Sequence, residues 1–255
     1  MIPAFRRRAC HFGELSDGEG MGDYSAWAAS SQKVGIGNRL KGWVENTYLS
    51  LIEQAGCSSG SLLEIGPGNG EFALAAQRRG FSYAAVERSP VLTESLRARG
   101  IDCRLANFPA DRQGLEQFDC VYASHVLEHQ DTREEAVRFV EGVHGVLKPR
   151  GFCVINCPNV LSHKSLFWAS DYTHNFVTTP LRVRNLLLDH GFEIALEQPM
   201  RFGFCNPVAR AAVAVAGLLV HPTLFVPVVR LAIRNYASDP RIYFRENFTL
   251  VARKL

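Results

Sequence analysis

Residues 62–71 have the sequence Leu-Leu-Glu-Ile-Gly-Pro-Gly-Asn-Gly-Glu, a short apolar strand that leads directly into three glycines. A second short apolar run, residues 83–86, ends in an acid, Glu87. After a strand of an open parallel sheet, glycines let the backbone turn tightly and approach a ligand, and an acid after the next strand binds ribose hydroxyls. These two segments therefore predict a parallel α/β sheet that binds a ribose-containing cofactor.

The spacing of the glycines separates two classes of cofactor. The dinucleotide pattern is Gly-x-Gly-x-x-Gly, whereas Gly66, Gly68 and Gly70 form Gly-x-Gly-x-Gly and are preceded by Glu64. This arrangement resembles the first motif of class I S-adenosylmethionine-dependent methyltransferases. That cofactor has no pyrophosphate, but its carboxylate can use the amides of the glycine loop and the positive end of the following helix.

Composition narrows the class of protein. The chain has 255 residues, of which 47% are hydrophobic and 21% charged, and its net charge is +3. These values are typical of a globular protein, and no basic stripe interleaved with aromatic residues indicates a nucleic-acid partner. Seven cysteines include no Cys-x-x-Cys pair, so we expect reduced core thiols. No apolar signal stretch follows the basic start, and the predicted location is cytoplasmic.

Strand and helix patterns alternate along the chain. Strands are predicted at 61–65, 82–86, 101–105, 118–123, 152–156, 192–197 and 243–253, and helices at 40–55, 71–79, 90–98, 132–147 and 180–190. This rhythm predicts a doubly wound, mostly parallel, seven-stranded Rossmann-like sheet. We expect the last strand to be antiparallel and a helical insertion to precede it.

Four parts of the chain follow from this pattern: an N-terminal arm or lid at 1–38, the cofactor-binding core at 39–200, an apolar helical insertion at 201–240, and the final strand of the sheet at 241–255. Residues 211–229 approach the length of about 20 needed to span a bilayer. Two prolines interrupt them, so a helical cap over the substrate pocket is the preferred interpretation. Contact of 208–234 with a membrane surface or a lipid-linked substrate is the alternative.

Further motifs extend the resemblance. The segment Val126-Leu127-Glu128-His129 and the turn Leu147-Lys148-Pro149-Arg150-Gly151 follow in the order found in class I methyltransferases of the ubiquinone-biosynthesis and small-molecule group. The stretch Asp171-Tyr172-Thr173-His174-Asn175-Phe176 is similar to methyltransferases found with glycan and surface-polysaccharide biosynthesis enzymes. The resemblance implies a cofactor, S-adenosylmethionine, and a small-molecule or sugar acceptor, including lipid-linked ones.

The resemblance also implies cofactor-binding roles. It implies that Glu64, Gly66, Gly68 and Gly70 surround the methionine part of the cofactor. It also implies that Glu87 binds the ribose hydroxyls. Many family members have an Asp that meets the adenine amino group. Here Asn107 takes that place, with Phe108 beside it, and Ser124 and His125 are expected near the sulfonium.

A methyltransferase that acts on a hydroxyl must align the acceptor and remove its proton, and His suits that role at neutral pH. The candidates follow the ends of predicted strands. His174 is the preferred base, because Asp171 and Asn175 flank it and either could orient its ring. His129 is the second candidate, with a purely structural hydrogen bond as its alternative.

A metal site is not expected from the sequence. His125 and His129 are four residues apart, a spacing that suits a metal on a helix. However, Glu128 is predicted to face elsewhere, and the Glu-His pair is common in this family without metal.

The predicted activity is transfer of a methyl group to an oxygen of a small-molecule or sugar acceptor. Nitrogen and carbon remain open as methylated atoms. A non-catalytic cofactor-binding scaffold is one alternative. A nicotinamide-dependent oxidoreductase is another, and both the spacing of the third glycine and the lack of a Tyr-x-x-x-Lys pair oppose it.

Overall fold

The computed structural model describes residues 36–115, 117–219, 242 and 244–255. The predicted N-terminal arm lies outside the described residues apart from 36–38, and so does the insertion from 220 to 240. Seven strands form one sheet: β1 (Gly60–Ile65), β2 (Phe81–Glu87), β3 (Cys103–Leu105), β4 (Phe118–Ser124), β5 (Leu147–Pro158), β6 (Phe192–Arg201) and β7 (Glu246–Lys254).

The described helices alternate with these strands. They are α1 (Ile36–Gln54), α2 (Glu71–Arg78), α3 (Pro90–Ala98), α4 (Arg133–Val146), α5 (Val160–His163), α6 (Leu166–Ala169), α7 (Pro180–Asp189) and α8 (Pro207–Leu219), with a 3-10 turn at Leu127–His129. Of the predicted insertion at 201–240, residues 207–219 are helical, whereas Arg201 ends β6 and residues 202–206 are not helical.

The strand order is β3-β2-β1-β4-β5-β7-β6. β1 to β5 pair in parallel, and β7 pairs antiparallel with both β5 and β6. The predicted sheet with an antiparallel last strand is therefore confirmed. An all-parallel dinucleotide-binding sheet has the order 3-2-1-4-5-6, so the inserted antiparallel strand separates this fold from that of nicotinamide-dependent oxidoreductases.

The central strands are buried on both faces, as expected of a parallel sheet covered by helices. Leu62 of β1 packs with the side chains of α1 and α2, whereas the next residue, Leu63, packs with those of α4 and α7. This alternation follows from the period of two along a strand. The two clusters form one hydrophobic layer on each side of the sheet.

The start of β5 differs from the sequence expectation. β5 begins at Leu147, five residues before the predicted Phe152, because Leu147 already pairs with Phe118 before a register shift in β4. At the start of α4, Thr132 and Glu135 form only part of a capping box. Thr132 accepts a hydrogen bond from the Glu135 amide at 3.1 Å, but the Glu135 carboxylate accepts from the Asp131 amide instead of from Thr132.

The carboxyl ends of β1, β2, β4, β5 and β6 share one edge of the sheet, since β5 and β6 are both antiparallel to β7. Helix α8 leaves from this edge. Its Arg210 pairs with Glu246 at 2.6 Å, and its Gly217 lies against Phe244. In the part of the chain that the structure describes, no helix is long and apolar enough to span a bilayer.

Candidate active site

The glycine loop after β1 has three left-handed residues with different surroundings. A side chain at Gly70 would collide with Leu96 and Ile101 at 2.6 and 2.8 Å, so this glycine permits core packing. Gly68 has φ of 53°, and a Cβ built on it meets no protein atom within 4 Å. The backbone at Gly68 therefore faces open space, where a ligand can approach closely.

Glu87 lies at the same place, at the end of β2. Its side chain is buried, its Oε1 accepts a hydrogen bond from the Ser89 amide at 2.8 Å, and the Gly68 amide also faces the carboxylate. Burial raises the pKa of Glu87 above its ordinary value. The structure thus brings the predicted ribose-binding acid next to the glycine loop.

Glu64 is buried at the end of β1. The Tyr83 hydroxyl donates a hydrogen bond of 2.5 Å to its Oε2, and burial raises the pKa of Glu64 well above its ordinary value. Sequence reasoning did not assign Tyr83. The available signal was its position on β2. Tyr83 pairs with Leu62, which lies two residues before Glu64 on β1 and therefore on the same face of the sheet.

The segment after β3 carries the two residues predicted at the adenine. Asn107 is exposed, and its backbone N–H donates to Asp111 Oδ2 at 2.8 Å. Phe108 is half-buried and packs edge-on against Phe139 of α4, with ring centroids 5.6 Å apart. Asn107 is thus free of core packing, whereas Phe108 contributes to the packing of α4.

Ser124 and His125 end β4 at the same edge. The Ser124 hydroxyl accepts a hydrogen bond from Asn156 Nδ2 at 2.9 Å. His125 has φ of 56°, and its ring is 46% exposed. The His125 side chain therefore reaches the surface of the crevice, where its Nδ1 donates to Glu128 Oε1 at 2.9 Å.

His129 and His174 come together at this edge, with ring centroids 4.8 Å apart. His129 Nδ1 lies 2.8 Å from Thr173 Oγ1, and the Thr173 hydroxyl donates to Asp171 Oδ1 at 2.6 Å. His174 Nδ1 lies 2.6 Å from the Phe167 carbonyl. Burial lowers the pKa of His129, which favours its neutral form.

The prediction that Asp171 or Asn175 orients the His174 ring is wrong, because His174 Nδ1 is bonded to the Phe167 carbonyl. Asp171 bonds to Thr173 and so orients His129, and Asn175 donates to Asp131 at 2.7 Å. The loop turns in this way because the backbone N–H of Asn175 donates to the backbone carbonyl of Glu128 at 3.0 Å. Thr173 was missed by sequence reasoning, although it lies within the quoted Asp-Tyr-Thr-His stretch.

Glu128 also differs from its predicted position. It does not face away from the histidines: each of Glu128, His129 and His174 offers a ligand atom within 4.8 Å of the others. Its side chain is fully buried, and its Oε2 has no hydrogen-bond partner among the described residues. Although burial opposes ionisation, the hydrogen bond from His125 lowers the pKa of Glu128.

The comparisons with known proteins agree with this geometry. Residues 40–197 match the family model described as "Methyltransferase domain". The chain therefore belongs to this methyltransferase family, and its order of strands is that of the class I enzymes, whose cofactor is S-adenosylmethionine. No curated protein matches the chain.

Solved structures share the fold at low sequence identity. The N-methyltransferase NodS from Bradyrhizobium japonicum WM9, in complex with S-adenosyl-L-homocysteine, is 11% identical with a TM-score of 0.59, over 91% of this chain and 97% of that chain. A SAM-dependent methyltransferase from Archaeoglobus fulgidus is 21% identical, with a TM-score of 0.56 over 82% and 94%. The 1,6-didemethyltoxoflavin-N1-methyltransferase from Burkholderia thailandensis is 14% identical, with a TM-score of 0.53 over 83% and 78%.

The described residues fit S-adenosylmethionine. Open space at Gly68 admits a ligand against the backbone, and the buried Glu87 carboxylate lies beside it. A buried acid with two acceptor oxygens suits a ribose diol. The carboxyl edge then has two parts: the glycine loop with Glu87, and the cluster of Glu128, His129 and His174, which we call the histidine cluster.

Proposed function

We propose that this enzyme transfers a methyl group to an oxygen of a small-molecule or sugar acceptor. One observation carries the proposal: both imidazoles of the histidine cluster have Nδ1 beside an acceptor, which leaves Nε2 free to take a proton. When bound, S-adenosylmethionine supplies a methyl group that its sulfonium already activates. The protein must align the acceptor and provide for loss of its proton.

Cofactor binding is proposed for the residues at the glycine loop and the following strand ends. The loop glycines and Glu64 surround the methionine part, Glu87 binds the ribose, and Asn107 and Phe108 lie at the adenine. Ser124 and His125, which end β4, line the floor near the sulfonium. The open backbone at Gly68 and the exposed ring of His125 support this assignment.

His129 is better supported than His174 as the group that takes the proton from the acceptor. The Thr173 hydroxyl links its Nδ1 to the Asp171 carboxylate. Such a chain holds the ring in one orientation and stabilises the imidazolium that forms after proton transfer. His174, held by the Phe167 carbonyl, then positions the acceptor on the other side.

An apolar part of the acceptor has a place to bind. An open groove of about 860 Å³ lies beside α5 and α6, lined by Val160, Leu161, Lys164, Ser165, Trp168, Ala169 and Val177. Leu161 and Trp168 are 71% and 49% exposed. Phe167, the residue before Trp168, packs against His174 with ring centroids 4.8 Å apart, so we place the groove next to the histidine cluster. This supports a lipid-linked acceptor of the kind used in glycan biosynthesis.

The test follows methyl transfer from labelled S-adenosylmethionine to sugars, lipid-linked sugars and amines. We expect label in an alkali-stable ether of a hydroxyl acceptor. His129→Asn should lower kcat by about 10²- to 10⁴-fold, since it removes a base, and should leave S-adenosylhomocysteine affinity unchanged. His144→Asn, at the opposite edge of the sheet, is the matched control. Unchanged kcat in His129→Asn would contradict the role of His129.

A nitrogen acceptor is the second candidate. Two of the similar structures are titled N-methyltransferases, and a free imidazole Nε2 can take a proton from an ammonium group as well as from a hydroxyl. Label found only in amines would favour this candidate. If S-adenosylhomocysteine binds and no acceptor of any class is labelled, the scaffold alternative gains support.

A further inference from the structure

The histidine cluster brings three potential ligand groups together at the carboxyl edge. One ligand atom from each of Glu128, His129 and His174 lies within 4.8 Å of the other two. Two different segments supply them, the turn after β4 and the loop before α7. The Glu128 carbonyl holds these segments together, because it accepts hydrogen bonds from the Asn175 and Phe176 amides, both at 3.0 Å.

The hydrogen bonds fix the tautomer of each ring. A carbonyl oxygen can only accept, so His174 Nδ1 donates to Phe167 and must carry the proton. The Thr173 hydroxyl gives its one proton to Asp171, so it accepts from His129 Nδ1. Each neutral ring therefore has a bare lone pair on Nε2.

Glu128 adds a third group that can only accept. Its Oε1 is bonded to His125, whereas its Oε2 is buried without a hydrogen-bond partner among the described residues. The Cys157 thiol, a weak donor, also interacts with this carboxylate. A buried acceptor without a donor is costly, and three acceptors close together repel one another. A bound cation removes both penalties.

We propose that Glu128, His129 and His174 form a binding site for one divalent transition-metal ion of the zinc type. Two imidazoles and a carboxylate are ligands of catalytic zinc, and imidazole favours such an ion over Mg²⁺. The Phe167 carbonyl and the Thr173–Asp171 pair supply the outer hydrogen bonds that metal-binding histidines have. Ligand atoms at about 2.1 Å from an ion lie at most about 4.2 Å apart, so small side-chain rotations complete the site.

This inference rests on the proposed methyl transfer to oxygen, and it replaces the role of His129 as proton acceptor with that of a metal ligand. The ion leaves an open position for the acceptor hydroxyl and lowers the pKa of that hydroxyl. The proton leaves to solvent water, and the histidines then serve as ligands instead of proton acceptors. The acceptor oxygen forms its new bond to the methyl carbon as the carbon–sulfur bond breaks, which gives a methyl ether and a neutral thioether.

The experiment titrates the chelator-treated full chain with zinc chloride by calorimetry and with cobalt chloride by visible absorption. We expect one equivalent of either metal to bind, with d–d bands of protein-bound Co²⁺. Glu128→Gln, His129→Asn and His174→Asn should each weaken zinc binding by about 100-fold or more, and Thr173→Val by about tenfold, since it removes an outer hydrogen bond. His144→Asn should bind metal like the wild type.

Three results distinguish failure of the metal site from failure of the proposed methyl transfer. Absence of saturable one-equivalent binding, or equal binding by wild type and the cluster variants, overturns the metal site. S-adenosylhomocysteine titrations of every variant show whether each is folded, and the two histidine variants decide the matter if Glu128→Gln does not fold. Methyl transfer that persists after chelator treatment overturns the role of the ion but leaves the proposed function intact.

Discussion

At the scale of single residues, Gly68 offers a direct test of the cofactor loop. Gly68 and Gly80 both have positive φ, 53° and 86°, and a Cβ at either meets nothing within 4 Å. Alanine at either position carries the same left-handed strain of about 1 kcal/mol, which lowers Tm by about 2–4 °C in a protein of this size. Only Gly68→Ala should also weaken S-adenosylhomocysteine binding, by about tenfold or more.

Calorimetry with thermal melts checks this pair of variants. Gly80→Ala is the matched control, because it ends α2 away from the proposed ligand. Equal S-adenosylhomocysteine affinity in Gly68→Ala and the wild type would show that the ligand does not approach this part of the loop.

Glu87→Gln tests the ribose contact. Gln keeps an oxygen that accepts from the Ser89 amide and removes a buried carboxylate, so the fold should be retained. A charged acceptor forms stronger hydrogen bonds to hydroxyls than a neutral one. We expect S-adenosylhomocysteine affinity to fall by about tenfold with little change in Tm. A variant that binds as tightly as the wild type would contradict the assignment.

The buried side chain of His163 makes the free energy of unfolding depend on pH. It is buried and hydrogen-bonded to Asn247 at 3.0 Å, and burial lowers its pKa to about 4. Because the unfolded chain binds this proton more tightly, with a pKa of about 6.5, stability is lost as the pH falls below that value. The loss attributable to His163 should reach about 2 kcal/mol at pH 5 relative to pH 7.5.

Denaturant unfolding at several pH values measures this effect. His163→Gln keeps a side-chain donor for Asn247 and cannot be protonated, so its stability should fall less on acidification than that of the wild type. Identical pH profiles for the two proteins would refute the explanation.

At the scale of elements, α8 tests the acceptor side. It leaves β6 at the carboxyl edge and exposes Val208 and Val215, which are 78% and 57% accessible. If these side chains contact an apolar acceptor, the double variant Val208→Asp with Val215→Asp should lower turnover of a lipid-linked acceptor. It should change neither S-adenosylhomocysteine affinity nor turnover of a short, water-soluble acceptor.

Leu188→Asp is the control for that variant. Leu188 is also exposed, at 47%, but lies near the end of α7 at the opposite edge. Equal losses in both variants, or a parallel loss of cofactor affinity, would contradict a role for α8 at the acceptor.

Sequence patterns predicted the elements well because their causes are local. The glycine loop after β1, the Thr132 cap of α4 and the glycines that end helices each depend on neighbouring residues. The start of β5 could not be predicted in this way, since Leu147 is extended through its pairing with Phe118, 29 positions earlier. Such pairing is a tertiary effect that propensity does not contain.

At the scale of the whole molecule, the sequence predicts the edge of the sheet on which His129 and His174 lie, but not the contacts between them. The topology of a doubly wound sheet brings strand ends together, and both histidines follow the ends of predicted strands. Their hydrogen-bond partners depend on how the loop at 171–176 docks on the Glu128 carbonyl. That docking determines the positions of Thr173 and Glu128. It also explains why Asp171 is linked through Thr173 to His129 and not, as predicted, to His174.

The central claim is that the glycine loop and Glu87 bind S-adenosylmethionine. Calorimetric titration of the purified chain with S-adenosylhomocysteine, with NAD as the control, tests it most directly. The account predicts a single site with a Kd of the order of micromolar, or about −8 kcal/mol, and no heat of binding from NAD. Absence of S-adenosylhomocysteine binding, or equal binding of NAD, would contradict it.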